Sequence, residues 1–211
     1  MGKFNEWNPQ KYIHRMDNPE KYKEVYKVFH DFIVANAGNV ELALDVASGP
    51  GILTCALAKT WQNAKIYGID LSTEMIEYSK RKAEKKKCNN VEFVHGNALA
   101  MPFADRKFDV IVCRGFLKVV SERRKLLAEC ERVLKESGVF FFSDTYFEGM
   151  EILAKVCRNP EEFGVLEEAV KHSLKLREVI ELFSAFKFSL YVRGISVYVM
   201  GRRKNAPTQP L

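Results

Sequence analysis

The stretch LALDVASGPGILT, residues 42–54, constrains this chain more than any other. A short apolar run containing a single acid, Asp45, breaks into the small-residue turn Ala47-Ser48-Gly49-Pro50-Gly51, and ILTCALAKTW (52–61) then takes up helical periodicity. Such a run reads as a buried strand handing over to a helix. In open α/β sheets that junction lies at the carboxyl end of a strand, where small-molecule ligands bind.

The chain beyond Trp61 repeats the pattern. KIYGID (65–70), VEFVHG (91–96), FDVIVC (108–113) and GVFFFSD (138–144) are further strand-length apolar runs. Helical segments separate most of them. Ser72 stands as an N-cap with acids Glu74 and Glu77 after it and Lys85-Lys86-Lys87 at the far end, as the helix dipole favours. Leu126, Leu127, Cys130, Val133 and Leu134 line one face of another helix, for which Gly138 is the expected stop. Near-continuous apolar strands alternating with helices imply a mostly parallel sheet covered on both faces. After a helix expected to be capped by Ser173, FKFSLYV (186–192) and ISVYVMGR (195–202) are joined by Arg193-Gly194. A link that short makes them an antiparallel hairpin. The expected fold is therefore α/β and Rossmann-like, a seven-stranded mostly parallel sheet with a C-terminal antiparallel hairpin.

Before Leu42, Asn18-Pro19 opens a helix in which Tyr22, Val25, Tyr26, Phe29, Phe32 and Ile33 recur at helical spacing up to about Asn36. The organisation expected is an N-terminal helical lid (1–36), a cofactor-binding domain (37–204) with a substrate-side insertion at 145–172, and a flexible tail (205–211). No secretory signal is expected from MGKFNEWNPQ, and no apolar run approaches the roughly 20 residues of a membrane span. The five cysteines are scattered with no C-x-x-C, which suits reduced thiols in the cytoplasm, and the four histidines form no metal-ligand spacing. A net charge of +6 concentrates in KRKAEKKK (80–87), ERRK (122–125) and GRRK (201–204). Charge of this kind reports on partners only loosely, so nucleic acid is not favoured as a partner.

The glycine turn admits several ligands. A dinucleotide fingerprint needs G-x-G-x-x-G, and in GPGILT (49–54) Thr54 fills the third place. A phosphate loop would need G-K-[ST], which is absent. Asp70, ending the second strand, is placed to accept hydrogen bonds from the ribose of any adenosine-bearing cofactor. Asp45 tips the balance, since a carboxylate beside the turn disfavours pyrophosphate and favours a cationic ligand. S-adenosylmethionine carries a sulfonium and an ammonium and no phosphate. Small residues at Ala47, Gly49 and Gly51 would let its methionine portion approach the backbone.

At this point the chain resembles the class I S-adenosylmethionine-dependent methyltransferases, in particular their ubiquinone/menaquinone-biosynthesis-like branch. ALDVASGPG is similar to that family's first motif, YGIDLSTEMIEYSKRKA (67–83) to its second, HGNALAMPFADRKFDVIVCRG (95–115) to its third and fourth, and LKESGVFFFSD (134–144) to its fifth-strand signature. The resemblance implies that Asp45, Ala47, Ser48, Gly49 and Gly51 form the floor of the cofactor site. It further implies that Asp70 binds the ribose hydroxyls, that Leu71 and Met75 pack near the adenosine, that Asn97 and Ala98 flank the adenine, and that Arg114 edges the pocket after the fourth strand. Two positions depart from the family: Ala47 stands where glycine is commoner, and Asn97 where aspartate is. The activity implied is methyl transfer from S-adenosylmethionine to an O, N or C atom of a small, partly apolar acceptor, leaving S-adenosylhomocysteine.

No residue advertises itself as a catalytic base. Tyr12, His14, Tyr26, Arg114, Tyr146 and Glu148 are the candidates near the expected pocket mouth, with Tyr26 falling on the apolar face of its helix. The Asn/Asp-Pro-Pro-aromatic run of amino-methylating nucleic-acid enzymes is replaced by CRGF (113–116), and no Pro-Cys dipeptide supports cytosine-C5 chemistry. An RNA or protein methyltransferase, an NAD(P)-dependent oxidoreductase and a non-catalytic cofactor-binding subunit remain as alternatives. No metal is expected.

Overall fold

Strand β1 (Leu42–Val46) is the apolar run before the glycine turn, and all but its first residue are buried. It pairs in parallel with β2 (Lys65–Asp70), which pairs in parallel with β3 (Val91–His95). This computed structural model describes residues 8, 10, 13, 19–148 and 173–206, with the side chains of 19–25 set aside. Within them a seven-stranded sheet runs in the order β3-β2-β1-β4-β5-β7-β6. The mixed sheet expected from the alternation of strands and helices is the one observed.

The chain divides into two compact units, residues 1–100 and 101–211. In the first, α1 (Pro19–Asn36) packs against α2 (Ile52–Thr60), burying Phe29 and Ile33 completely. His30 Nε2 also lies 2.8 Å from Thr60 Oγ1. Helix α2 is apolar almost all round, as a helix covered on most sides must be, and buries Leu53, Thr54, Cys55, Leu57 and Ala58. Helix α3 (Thr73–Lys85) is more amphipathic and inserts Met75, Ile76, Ser79 and Ala83. Its N-cap is Ser72, whose hydroxyl accepts the Met75 N–H at 3.3 Å, as the sequence predicts. Asn90 donates to three carbonyls, those of Ala58, Trp61 and Ala64, and so closes the turn between α2 and β2.

In the second unit β4 (Phe108–Arg114) pairs in parallel with β5 (Leu134–Thr145), and β5 pairs antiparallel with β7 (Ser196–Arg202). β6 (Lys187–Arg193) and β7 form the expected hairpin, with Gly194 at φ +59° in its turn. Helix α4 (Arg123–Val133) joins β4 to β5, and α5 (Leu176–Phe183) precedes the hairpin. Phe183 stacks on Phe140 at 5.7 Å and meets Phe142 edge-on at 5.3 Å, which pins α5 to β5. Arg132 clamps the 101–105 segment by donating to the carbonyls of Met101 and Phe103 and to Asp105.

Two expectations about element ends are corrected. Gly138 does not stop α4, because the helix ends at Val133 and β5 starts at Leu134 without an intervening loop. Gly138 lies inside the strand, where the β4–β5 register shifts between Phe108 and Val110. A Cβ there would come within 2.6 Å of Leu134 Cδ1 and 3.0 Å of the Asp109 carbonyl oxygen, so close packing accounts for the glycine. Ser173 does not cap α5 either. The N-cap is Lys175, whose N–H donates to Glu178 at 3.0 Å, while the Ser173 hydroxyl donates to Thr145 Oγ1 at 3.3 Å. The expectations for Phe4, Trp7, Tyr12, His14, for most of 145–172 including Met150, Ile152, Leu153, Val156, Cys157 and Phe163, and for the end of the tail lie outside the described residues.

Candidate cofactor site

Ten of the eleven predicted cofactor residues fall in the first unit, at the carboxyl ends of β1, β2 and β3. The turn after β1 is left-handed at three places, Ala47 (φ 55°), Gly49 (φ 51°) and Gly51 (φ 69°). Two glycines meet that demand at little steric cost, whereas Ala47 bears it with a Cβ. The turn is held to β2 by the Ser48 N–H, which donates to the Ile69 carbonyl at 3.0 Å, and by the Gly49 N–H, which donates to Asp70 Oδ2 at 2.8 Å.

Asp70 is thus both the end of β2 and the anchor of the turn. Its second oxygen, Oδ1, accepts the Ser72 N–H at 3.0 Å, and its own carbonyl receives the Gly96 N–H at 2.9 Å. Burial pushes its carboxyl above the usual carboxylate value, against the opposing pull of the Ser72, Gly49 and Leu71 backbone N–H groups. A carboxylate has about four lone-pair sites, so these backbone donors still leave room for a ribose hydroxyl. Leu71 beside it is 62% exposed, a large apolar side chain at the lip of a turn. Met75 is fully buried and serves as the root of α3 beneath this surface.

Asp45 is buried and accepts a 2.6 Å hydrogen bond from Thr54 Oγ1. Thr54 therefore does more than replace the third fingerprint glycine, since its hydroxyl solvates a carboxylate nine residues back. Gly51 also differs from its expected use. A Cβ there would lie 2.7 Å from Phe93 Cζ and 2.8 Å from Ser79 Cβ, so the missing side chain makes room for β3 and α3. Gly68, absent from the residues that the sequence singles out, is crowded in the same way by Phe93 at 2.7 Å and by Ser48 Oγ at 3.0 Å. Its register position opposite Asp45 could have flagged it.

Asn97 is exposed, and its Oδ1 accepts the Leu99 N–H at 2.8 Å in a local turn, while Ala98 is buried. Half of the acceptor capacity of the Asn97 side-chain carbonyl is thereby committed to the loop. His95 Nε2 lies 2.9 Å from the Leu71 carbonyl and ties the β3 end to the same rim. Arg114 is half-buried at the end of β4, in the second unit. Of the candidate bases described, Tyr26 is half-buried on α1, Tyr146 is buried, and Glu148 accepts the Leu176 N–H at 3.2 Å in front of α5.

Whether these residues fit S-adenosylmethionine can be judged from the side chains themselves. The Ser48 hydroxyl is buried without a hydrogen-bond partner, a state that costs free energy unless a ligand supplies one. The turn carries carboxylates at Asp45 and Asp70 and no Lys or Arg anywhere in residues 42–58, the reverse of what a pyrophosphate needs. An apolar lip at Leu71 adjoins the acid suited to a ribose. Hydroxyl, carboxylates and apolar lip together match a cationic amino acid joined to a nucleoside.

Residues 40–186 match the family model of a methyltransferase domain. This chain belongs to the methyltransferase-domain family. It is an S-adenosylmethionine-dependent methyltransferase. Among its relatives, a demethylmenaquinone methyltransferase of Geobacillus stearothermophilus is 28% identical over 184 residues, covering 77% of this chain and 79% of that one. A methyltransferase structure from Aquifex aeolicus superposes with a TM-score of 0.74 at 23% identity, covering 92% of this chain and 98% of that chain. The plantazolicin methyltransferase BamL, solved with a desmethyl-plantazolicin analogue and S-adenosylhomocysteine, superposes with a TM-score of 0.71 at 14% identity over 92% and 89% of the two chains. The methyltransferase therefore shares with them a fold that the sequence alone had implied. Among its described residues no helix is long and apolar enough to cross a membrane, and no cluster of three His, Cys, Asp or Glu could hold a metal ion.

Proposed function

We propose that this methyltransferase binds S-adenosylmethionine on the Asp45–Gly51 turn with its ribose on Asp70, and transfers the methyl group to a small, partly apolar acceptor in the cytoplasm. The observation that carries the cofactor reading is the Gly49 N–H to Asp70 hydrogen bond beside the partnerless Ser48 hydroxyl. In this reading Asp70 orients the ribose, Leu71 and Met75 pack near the adenosine, Asn97 and Ala98 flank the adenine, and Ser48 meets the methionine end. The bound cofactor supplies a methyl group already activated by its sulfonium. What the chain must add is alignment, which can lower a barrier by roughly 7–11 kcal/mol without a dedicated base.

The small acceptor is supported by the Geobacillus relative, whose name gives it a quinone-type substrate. A nucleic-acid acceptor is disfavoured by the fate of two of the three basic runs. Arg123 donates to the Leu117 carbonyl, Arg124 pairs with Glu181, Lys125 pairs with Glu122, and Arg202 and Arg203 donate to carbonyls of Ser137, Glu131 and Leu134. Buried thiols at Cys55, Cys88, Cys113 and Cys130 suit a reducing compartment. Cys55 in particular is pushed up to about 12 by burial and then by neighbouring Cys88, which leaves it unreactive. Residues 1–36 are proposed as a helical lid, and residues 145–172 as a substrate-side insertion.

A thermal-shift panel of S-adenosylmethionine, S-adenosylhomocysteine, NADH and NADPH tests the cofactor reading. Ligand at 100 times its dissociation constant should add about 2.7 kcal/mol. Stabilisation by the nicotinamide compounds alone would overturn it. Transfer of labelled methyl into the small-molecule fraction of a cell extract, rather than into its RNA or protein, tests the acceptor class.

A further inference from the structure

Helix α3 ends in the most basic stretch of the chain. KRKAEKKK (80–87) carries six cations and one acid, Glu84. Lys80, Arg81, Lys85, Lys86 and Lys87 are exposed, and none of the five makes an ion pair among the described residues, although Glu77 and Glu84 stand exposed on the same helix. Lys82 differs, its ammonium lying 4.8 Å from the centre of the Tyr78 ring. The basic runs of the second unit have partners: Arg124 pairs with Glu181, Lys125 with Glu122, and Arg203 donates to the Glu131 and Leu134 carbonyls. A charge run on a helix is ordinarily a solvated face, and these contacts separate the run on α3 from the other two.

Helix stability accounts for only part of this charge. Cations in the last turn complement the helix dipole, and Lys82 and Lys85 already occupy that turn. Beyond it the helix closes in a Schellman pair. The Lys87 N–H donates to the Glu84 carbonyl at 3.0 Å, and the Cys88 N–H to the Ala83 carbonyl at 2.9 Å. That closure puts Lys87 at φ 54°, in the left-handed region where glycine is the usual residue. A lysine there costs folding free energy that a glycine would not. The chain keeps a cation at a position where stability favours none.

We propose that this end of α3 is a docking surface for the phosphodiester backbone of a nucleic acid, held by charge and without regard to base sequence. Anionic lipid is the other polyanion of suitable charge, but binding to a bilayer surface draws on buried apolar area as well as on cations. Among the described side chains of the first unit, the only large apolar one exposed is Leu71, which precedes α3 at its opposite end. Nucleic acid needs no apolar contact, because phosphates that release their counterions to Lys and Arg supply its non-specific binding. Helix α3 spans 13 residues, so its basic end lies about 20 Å along the axis from the Ser72 cap beside Asp70. A nucleic acid held there is an attachment and not the methyl acceptor. The inference uses no residue of the donor turn and stands apart from the cofactor reading.

The test follows binding of a fluorescein-labelled oligouridylate to the full chain by fluorescence anisotropy across a range of salt. Wild type should bind at low salt, with the logarithm of its association constant falling linearly against that of salt by about 0.7 for each phosphate neutralised. Lys85→Gln combined with Lys86→Gln should flatten that slope by about 1.4 and weaken low-salt binding about tenfold. Arg124→Gln combined with Lys125→Gln makes the same change of net charge at a run whose cations are paired, and should leave both nearly as in wild type. Lys87→Gly should weaken binding about threefold and raise Tm by about 1–4 °C, since it gives up the charge and relieves the backbone together. Melts followed by circular dichroism check that each variant folds. Absence of wild-type binding, affinity left unchanged by the α3 substitutions, equal losses in the two double variants, or tighter binding to vesicles of phosphatidylserine and phosphatidylcholine than to the oligonucleotide would each overturn the proposal.

Discussion

The carboxylate of Asp70 accepts the backbone N–H of Gly49 across 2.8 Å, so the residue that would hold the ribose also holds the turn that would hold the methionine. A single side chain would thereby register two ends of one bound cofactor. Geometry at the donor site then depends on that hydrogen bond rather than on the glycines alone.

Asp70→Ala should remove both functions together. The variant loses the acceptor for the Gly49 and Ser72 N–H groups and any bond to the ribose. Wild type should gain about 2.7 kcal/mol from S-adenosylhomocysteine at 100 times its dissociation constant, or about 5–10 °C in Tm for a chain of this size. Asp70→Ala should show almost no ligand-induced shift. A shift equal to that of wild type would refute the ribose role.

The protonation of Asp70 offers a second handle. Its folded pKa is raised by burial above the unfolded value near 3.8. Below that unfolded value both states hold the proton and the group contributes nothing to pH dependence. As pH rises through the window up to the folded pKa the unfolded chain releases its proton first, so stability falls, and the loss is complete above the folded pKa. Hydroxyl donors from a ribose favour the charged form. Titrating the Asp70 carboxyl carbon by NMR should therefore give a midpoint above 3.8 in the free protein and a lower one with S-adenosylhomocysteine bound. A midpoint that ligand leaves in place would contradict the contact.

Ala47→Gly should stabilise the protein. Ala47 holds φ 55°, a region that costs an L-residue about 1–2 kcal/mol, while glycine gives back roughly 0.5–1 kcal/mol through the freer unfolded chain. The balance is about 0.5–1 kcal/mol in favour of glycine, or about 1–4 °C in Tm. Urea denaturation of the two proteins measures it. A destabilised glycine variant would mean that the Ala47 methyl makes packing contacts outweighing the backbone strain.

The fold was legible because its signals are local. Strand-length apolar runs, helical spacing and a hairpin too short to be parallel all lie within a few residues of one another. The turn and Asp70 were legible as neighbours for the same reason, since they belong to consecutive strands. What escaped depends on contacts distant in sequence. Gly138 looked like a helix stop because no local pattern reports that the Asp109 carbonyl, on the neighbouring strand β4, crowds its missing Cβ. Ser173 looked like a cap because its hydroxyl's partner, Thr145, is 28 residues away. Thr54 looked like a defect in a fingerprint until Asp45 appeared as its partner.

Thr54→Val should expose that partnership. Valine keeps the shape and removes the hydroxyl that donates to the buried Asp45 carboxylate at 2.6 Å. Loss of a donor to a buried charged acceptor costs about 1–3 kcal/mol. Thr54→Ser should recover most of it, because the hydroxyl returns and only a methyl is lost. Equal stability of the valine and wild-type proteins in urea would show that another group satisfies Asp45.

Gly51→Ala should be the most damaging change in the turn, and for two separable reasons. The residue holds φ 69° as N-cap of α2, which costs alanine about 1–2 kcal/mol. Its Cβ would also press within 2.7 Å of Phe93 Cζ and 2.8 Å of Ser79 Cβ, and overpacking of this sort costs typically about 1–3 kcal/mol. The two together come to about 2–5 kcal/mol. Phe93→Leu shortens the ring that both Gly51 and Gly68 accommodate, so it should relieve the Phe93 share of the second cost and leave the Ser79 contact and the first cost. In a double-mutant cycle the pair should couple favourably by about 1 kcal/mol or more, within the range measured for residues in contact. Strict additivity would show that the Phe93 ring takes no part in the cost, and that the close approach of β3 to the turn is not what requires glycine at position 51.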